Sequence, residues 1–135
     1  MRIITDRFGV PHIYADTETD AMYGLGHAHA YNRLKQMFSS KLTAAGRISE
    51  IQGKDYLEQD IAYRRFQLEE RAERILAELK PYIKEIIHAY SWGVNDFILA
   101  NRNNIPQWID QYNPHDVLAV FLMANLYFSL ERLIN

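Results

Sequence analysis

A mostly helical α+β fold is what this sequence predicts, and three observations predict it. Short runs rich in β-formers are confined to the first fifteen residues. From residue 20 to residue 100 the apolar residues recur at helical spacing. A last segment, "VLAVFLMANLYFSL" (117–130), is apolar nearly all the way round, as a helix buried on every side would be. With 135 residues the chain fits one domain or a part of one. It reads as a single segment, 1–135, with a hairpin over 2–15 and a helical remainder.

Composition narrows the class. Hydrophobic residues make up 48% and charged residues 24%, which suits a packed globular chain rather than a disordered one. The net charge of −2 arises from 15 basic and 17 acidic residues without a basic cluster, so no nucleic-acid partner is expected. The sequence has no cysteine, which excludes disulfides, thiolate metal sites and a cysteine nucleophile. "RIITDRFGV" follows Met1 without the apolar core of a signal peptide. If Met1 is the native start the expected location is cytoplasmic; removal of a leader would make it periplasmic or extracellular. The 14-residue apolar run is too short to span a bilayer.

The elements follow in order. Ile3 to Thr5 and His12 to Ala15 flank a polar turn with Asp6 and Gly9, and Pro11 suits the start of the second strand. Thr17 or Thr19 can cap a helix beginning at Asp20, which carries Ala30, Leu34, Met37, Leu42 and Ala45 and stops at Gly46. Its first half, with Gly24, Gly26, Ala28 and Ala30, is small-sided. Each glycine there costs up to about 1 kcal/mol against alanine, which close approach of another backbone would offset. After Gly53, residues 57–80 read as one charged amphipathic helix. Pro81 ends it and opens the next helix, whose apolar stripe runs Ile83, Ile86, Ile87, Tyr90, Val94, Phe97 and Ile98. "NRNNIP" breaks that helix. Asn113 as cap, Pro114 at the first helical position and Asp116 in the first turn then start the apolar segment. So few elements cannot wrap such a helix, so a second polypeptide or a further stretch of chain is expected to supply its other walls.

The stretch "YGLGHAHAYNRLKQM" (23–37) admits three chemical readings. As a nucleotide loop it fails, because His29 stands where a third glycine is needed and the glycines sit within a helix. As a metal site it is poor: residues two apart on a helix point about 200° apart, so His27 and His29 cannot easily share an ion. The favoured reading puts one histidine in solvent and the other hydrogen-bonded in a core. His12 on a short strand, His88 on a helix face and His115 at an exposed helix start form no triad recognisable from sequence.

Taken in order, "FGVPHIYA", "YGLGHAHAYNRLKQM", "AAGRISEIQGKD", "AYSWGVNDFI" and "YNPHDVLAVFLMAN" form a series from residue 2 to about 128. The series resembles the small α chain of the penicillin acylase family, a branch of the N-terminal-nucleophile hydrolases. The resemblance implies a precursor that cuts itself into α and β chains, together forming a four-layer αββα hydrolase. The β chain would begin with the catalytic serine, whose own α-amino group acts as base. No catalytic residue would then lie in this chain, and a linear acyl amide would be the substrate. The resemblance further implies that Met123 and Tyr127 line the acyl pocket. Leu126 falls where a well-studied branch carries an arginine that gates it, so a more apolar acyl group is expected. Glu131, allowing a small gap after Ser129, lies nearest the family's α-chain ligand to a calcium ion shared with the β chain. No organic cofactor is implied. Tyr31, Asn32 and Lys35 depart from the family pattern, and Asn32 replaces an aspartate that would pair with Arg33 or a neighbour.

Penicillins, cephalosporin side chains, acyl-homoserine lactones and acylated peptides are all hydrolysed in the family, and the fold alone does not choose among them. A rival of another class is a non-catalytic helical module that docks a partner through 117–130. A family member that kept the fold and lost activity is the second rival.

Overall fold

A computed structural model describes residues 1–134, with side chains through Ser129. It comprises two compact units: residues 1–35 with 79–114, and residues 36–78 with those from 115 onward.

The first unit opens with strands β1 (Arg2–Thr5) and β2 (Pro11–Tyr14), antiparallel, with Ile3 opposite Ile13 and Thr5 opposite Pro11. Asp6 organises the turn: its Oδ1 accepts from the backbone of Phe8 at 2.8 Å and of Val10 at 3.0 Å. The His12 ring meets Asp6 Oδ2 at 3.0 Å, and hydrogen bonding to His12 holds the Asp6 carboxyl below its usual value. Gly9 takes the positive φ (81°) that lets the chain reverse.

Helix α1 (Glu18–Ala44) starts two residues before the expected Asp20, and Thr17 Oγ1 caps it by accepting from Asp20 N at 3.0 Å. It is interrupted at Arg33, whose φ of −142° is not helical. Asn32 turns its amide back to the Ala28 carbonyl at 2.8 Å. Helix α5 (Pro81–Ala100) begins at the expected proline and buries Ile87, Ala89, Ser91, Gly93, Val94 and Ile98. The irregular segment after it is held by side chains. Asn95 clasps Tyr112 in both directions, at 2.8 and 2.9 Å, and Arg102 donates to the carbonyls of Pro106 and Ile109.

In the second unit α1 ends at Ala44, and Gly46, with φ 65°, turns the chain away two residues later. Short α2 (Ser49–Gln52) follows, anchored by buried Asp60, whose carboxylate accepts from Ile48 N at 2.9 Å and Ser49 N at 3.0 Å. The single helix expected over 57–80 is in fact two, α3 (Leu57–Phe66) and α4 (Leu68–Glu78). Gln67 adopts a left-handed conformation (φ 50°) that closes α3, and its backbone N–H bonds the Arg64 carbonyl. Periodicity did not reveal this break, because neither glycine nor proline marks it. Helix α6 (Pro114–Ile134) completes the unit. Its core joins Ala44, Leu68, Ala72 and Ala119, with Leu118, Leu122 and Met123 packed against them.

Candidate functional site

The two glycines of 23–37 are explained within the first unit. A Cβ on Gly26 would lie 2.0 Å from the Tyr90 carbonyl oxygen, and one on Gly93 would lie 2.0 Å from the Tyr23 carbonyl oxygen. The helices therefore meet backbone to backbone, which no side chain at either position allows. Gly93 is the reciprocal half of this contact. Sequence reasoning missed it, although a glycine inside an apolar helical stripe was the available signal.

The paired histidines diverge, as their spacing requires. His27 is half-buried, with its ring edge-on to Phe97 at 5.6 Å. His29 is more exposed, and its Nδ1 lies 2.9 Å from the Tyr90 hydroxyl. The expected split between a solvent histidine and a hydrogen-bonded core histidine is thus corrected: the hydrogen-bonded ring is the more exposed one. Partial desolvation and then the Arg33 charge lower the His29 pKa, while burial pushes Tyr90 up to about 12. Both shifts favour a neutral imidazole accepting from a protonated phenol. His88 lies beside Trp92, ring centroids 5.9 Å apart.

Helix α6 is the element on which the substrate-facing residues were expected. Asp116 and Ala119 are buried, and Met123 and Leu126 are half-buried. Met123 packs against the core of the second unit. Tyr127 is 55% exposed, with Phe121 at 64% and Phe128 at 63%. Among the described residues, this largely apolar helix is therefore covered on one side only. The polar groups along its exposed side fold back on the helix: Asn125 Nδ2 donates to the Phe121 carbonyl, and Ser129 Oγ to the Asn125 carbonyl, both at 2.8 Å. Such a face can be covered by apolar surface without orphaning a donor. Tyr127 and Phe128 meet edge to face at 5.7 Å. The Glu131 side chain lies outside the described residues.

The root of α6 carries charge. Lys41 Nζ lies 3.2 Å from Oδ2 of Asp116, a carboxylate that is 1% exposed. His115, expected at an exposed helix start, is half-buried, and Glu69 of α4 also reaches this cluster. Burial, followed by the Asp116 charge, raises the Glu69 pKa. Long-range pairing of this kind leaves no periodic trace in a sequence. Among the described residues no helix is long and apolar enough to cross a membrane.

Comparison with known proteins agrees with this architecture. The penicillin amidase family profile matches residues 1–133. An acyl-homoserine lactone acylase, QuiP, from Pseudomonas syringae pv. tomato is 30% identical over 133 residues, covering 93% of this chain and 16% of that protein. A penicillin acylase 2 proenzyme from Pseudomonas sp. is 34% identical over 146 residues, covering 99% and 19%. Penicillin G acylase from Escherichia coli is 29% identical over 140 residues, covering 94% and 16%. Among solved structures, a thermostable penicillin G acylase from Alcaligenes faecalis superposes with a TM-score of 0.82 at 25% identity, covering 95% of this chain and 74% of that one. The chain spans less than a fifth of the length of these curated relatives.

Proposed function

The chain belongs to the penicillin amidase family, and on that premise we propose that it is the α chain of an acylase that cleaves linear acyl amides. The catalytic group is then the N-terminal serine of a β chain released from the same precursor, and the two chains together build the four-layer αββα fold. The observation that carries this reading is the exposed apolar side of α6, with Phe121, Tyr127 and Phe128 uncovered and with Asn125 and Ser129 donating back to the helix. A partner chain is the natural cover for such a face.

In this reading the serine hydroxyl attacks the amide carbonyl while the serine α-amino group takes its proton. The tetrahedral oxyanion collapses, the amine leaves with that proton, and water then hydrolyses the acyl-enzyme to the free acid. The contribution of this chain is the acyl pocket. Met123 supplies a pliable wall and Tyr127 an aromatic one, while Leu126 in place of an arginine favours an apolar acyl group. Packing of Met123 on the second unit's core and exposure of Tyr127 suit a wall half anchored and half presented. Glu131 is the proposed carboxylate ligand to a shared calcium ion, a hard cation that takes oxygen donors.

The test is hydrolysis of a panel of acyl anilides, from acetyl to dodecanoyl and phenylacetyl, by the co-expressed chains. Activity is expected to vanish when the β-chain N-terminal serine is replaced by alanine. Tyr127→Ala and Leu126→Arg are expected to shift acyl preference. Activity that survives the serine replacement would exclude the mechanism.

A further inference from the structure

On the open side of α6 one small side chain sits among large ones. At about 100° per residue, Ala124 points about 120–160° round the helix from Leu118, Ala119 and Leu122, which pack in the second unit's core. Its neighbours on the helix surface are the residues three and four positions away: Val120, Phe121, Tyr127 and Phe128. Phe121, Tyr127 and Phe128 are each more than half exposed, whereas Ala124 between them is half-buried. Large neighbours on both flanks account for that burial on a side turned away from the core. The Tyr127 and Phe128 rings meet edge to face at 5.7 Å and form one wall. The result is an apolar notch with a methyl floor. Side chains on a helix lean toward its N-terminus, so Val120, also half-buried, closes the end of the notch nearer the start of α6.

We propose that Ala124 is the floor of the acyl pocket and that, with Val120, it sets the length of acyl chain the enzyme accepts. The inference rests on the acylase reading and deepens it, since Tyr127 belongs both to the pocket wall and to the notch. None of the five side chains is a lysine, arginine, histidine or carboxylate, so the occupant is uncharged. Neighbouring Cβ atoms on a helix surface stand about 5–6 Å apart, a spacing that admits one methylene chain between the rings. The chemistry therefore selects the far end of an unbranched alkyl group. Bulk added at Ala124 raises the floor, and bulk removed at Val120 opens the end.

The test is the anilide panel run on the co-expressed chains carrying Ala124→Leu or Val120→Ala. In Ala124→Leu, kcat/KM is expected to fall by about 10-fold or more for the longest acyl chain the parent prefers, the usual effect of one displaced methylene. The fall should be smallest for the acetyl anilide. Val120→Ala is expected to move the preferred length upward. Circular dichroism and recovery of the β chain, measured on the same preparations, separate these shifts from lost folding or assembly. If Ala124→Leu does not fold, Val120→Ala still decides, by a preferred length that rises or does not. An unchanged profile, or an equal loss at every chain length, would overturn the proposal. So would loss of the β chain in both variants, which would make the notch a seat for a partner side chain. The acylase reading fails in the parent, if activity survives the serine replacement; this inference fails in a parent that passes that test.

Discussion

Gly26→Ala probes the helix crossing of the first unit directly. The added Cβ would stand 2.0 Å from the Tyr90 carbonyl oxygen, and an ordinary contact begins near 3.4 Å, so the backbones must part by about 1.4 Å. The obstacle is main chain within a helix, which cannot rotate aside as a side chain can. Overpacking of this kind costs about 1–3 kcal/mol, and the absence of any yielding atom puts this case at the upper end. Alanine's better helix propensity returns about 1 kcal/mol, leaving a net loss of about 2 kcal/mol. In urea denaturation followed by circular dichroism, that loss lowers the midpoint by about 1 M at a typical slope of about 2 kcal/mol/M. Gly93→Ala should cost a similar amount, because its Cβ meets the Tyr23 carbonyl oxygen at the same 2.0 Å. The double variant should cost less than the sum, since one separation of the helices relieves both clashes. By contrast, Gly24→Ala meets side chains and no backbone, the Met1 sulfur at 2.8 Å and the Ile13 Cγ2 methyl at 2.9 Å, and should cost least. A Gly26→Ala chain as stable as the parent would refute the backbone-to-backbone contact.

Further consequences rest on individual side chains. Asp60→Ala removes the acceptor for Ile48 and Ser49 and should cost about 2–3 kcal/mol, measured by the same denaturation. Burial opposes ionisation of Asp60, but its hydrogen bonds from Ser49 and Ile48 outweigh it and depress the folded pKa below 3.8. Its stabilisation is therefore present above pH 3.8 and lost as pH falls through the depressed value, a loss that Asp60→Ala should abolish. For Tyr90 the sign is opposite: with its pKa raised from 10.0 to about 12, its contribution is complete below pH 10.0 and is lost as pH rises toward 12. Absorbance titration should show a phenol ionising near pH 12 that Tyr90→Phe removes. Phe121→Asp with Phe128→Asp should leave the circular dichroism of the chain unchanged, because both side chains are exposed, yet abolish recovery of a partner in co-purification.

What the sequence made legible was local. The hairpin, the Thr17 cap, the Gly46 stop and the Pro81 start each depend on residues within a few positions, and the structure places each of them there. Gly26 was readable as a close approach because glycine inside a helix needs compensation, but its counterpart Gly93 could not be assigned without the crossing. The break at Gln67 escaped because glutamine is a good helix former with no intrinsic preference for a left-handed conformation. The approach of Lys41 on α1 and of Glu69 on α4 to His115 and Asp116 on α6 escaped because these contacts join residues far apart in the chain. The apolar pattern of α6 was plain in the sequence. Which of its sides this chain covers depends on Ala44, Leu68 and Ala72, contacts that no periodicity encodes.

The central claim is that the exposed side of α6 belongs to a two-chain acylase. Its most direct test is intact mass with N-terminal sequencing of whatever co-purifies when the natural gene is expressed. A large second polypeptide beginning with serine is the predicted result. This chain recovered alone and soluble, or bound to a partner without that serine, would contradict the claim and leave α6 as the docking face of a non-catalytic module.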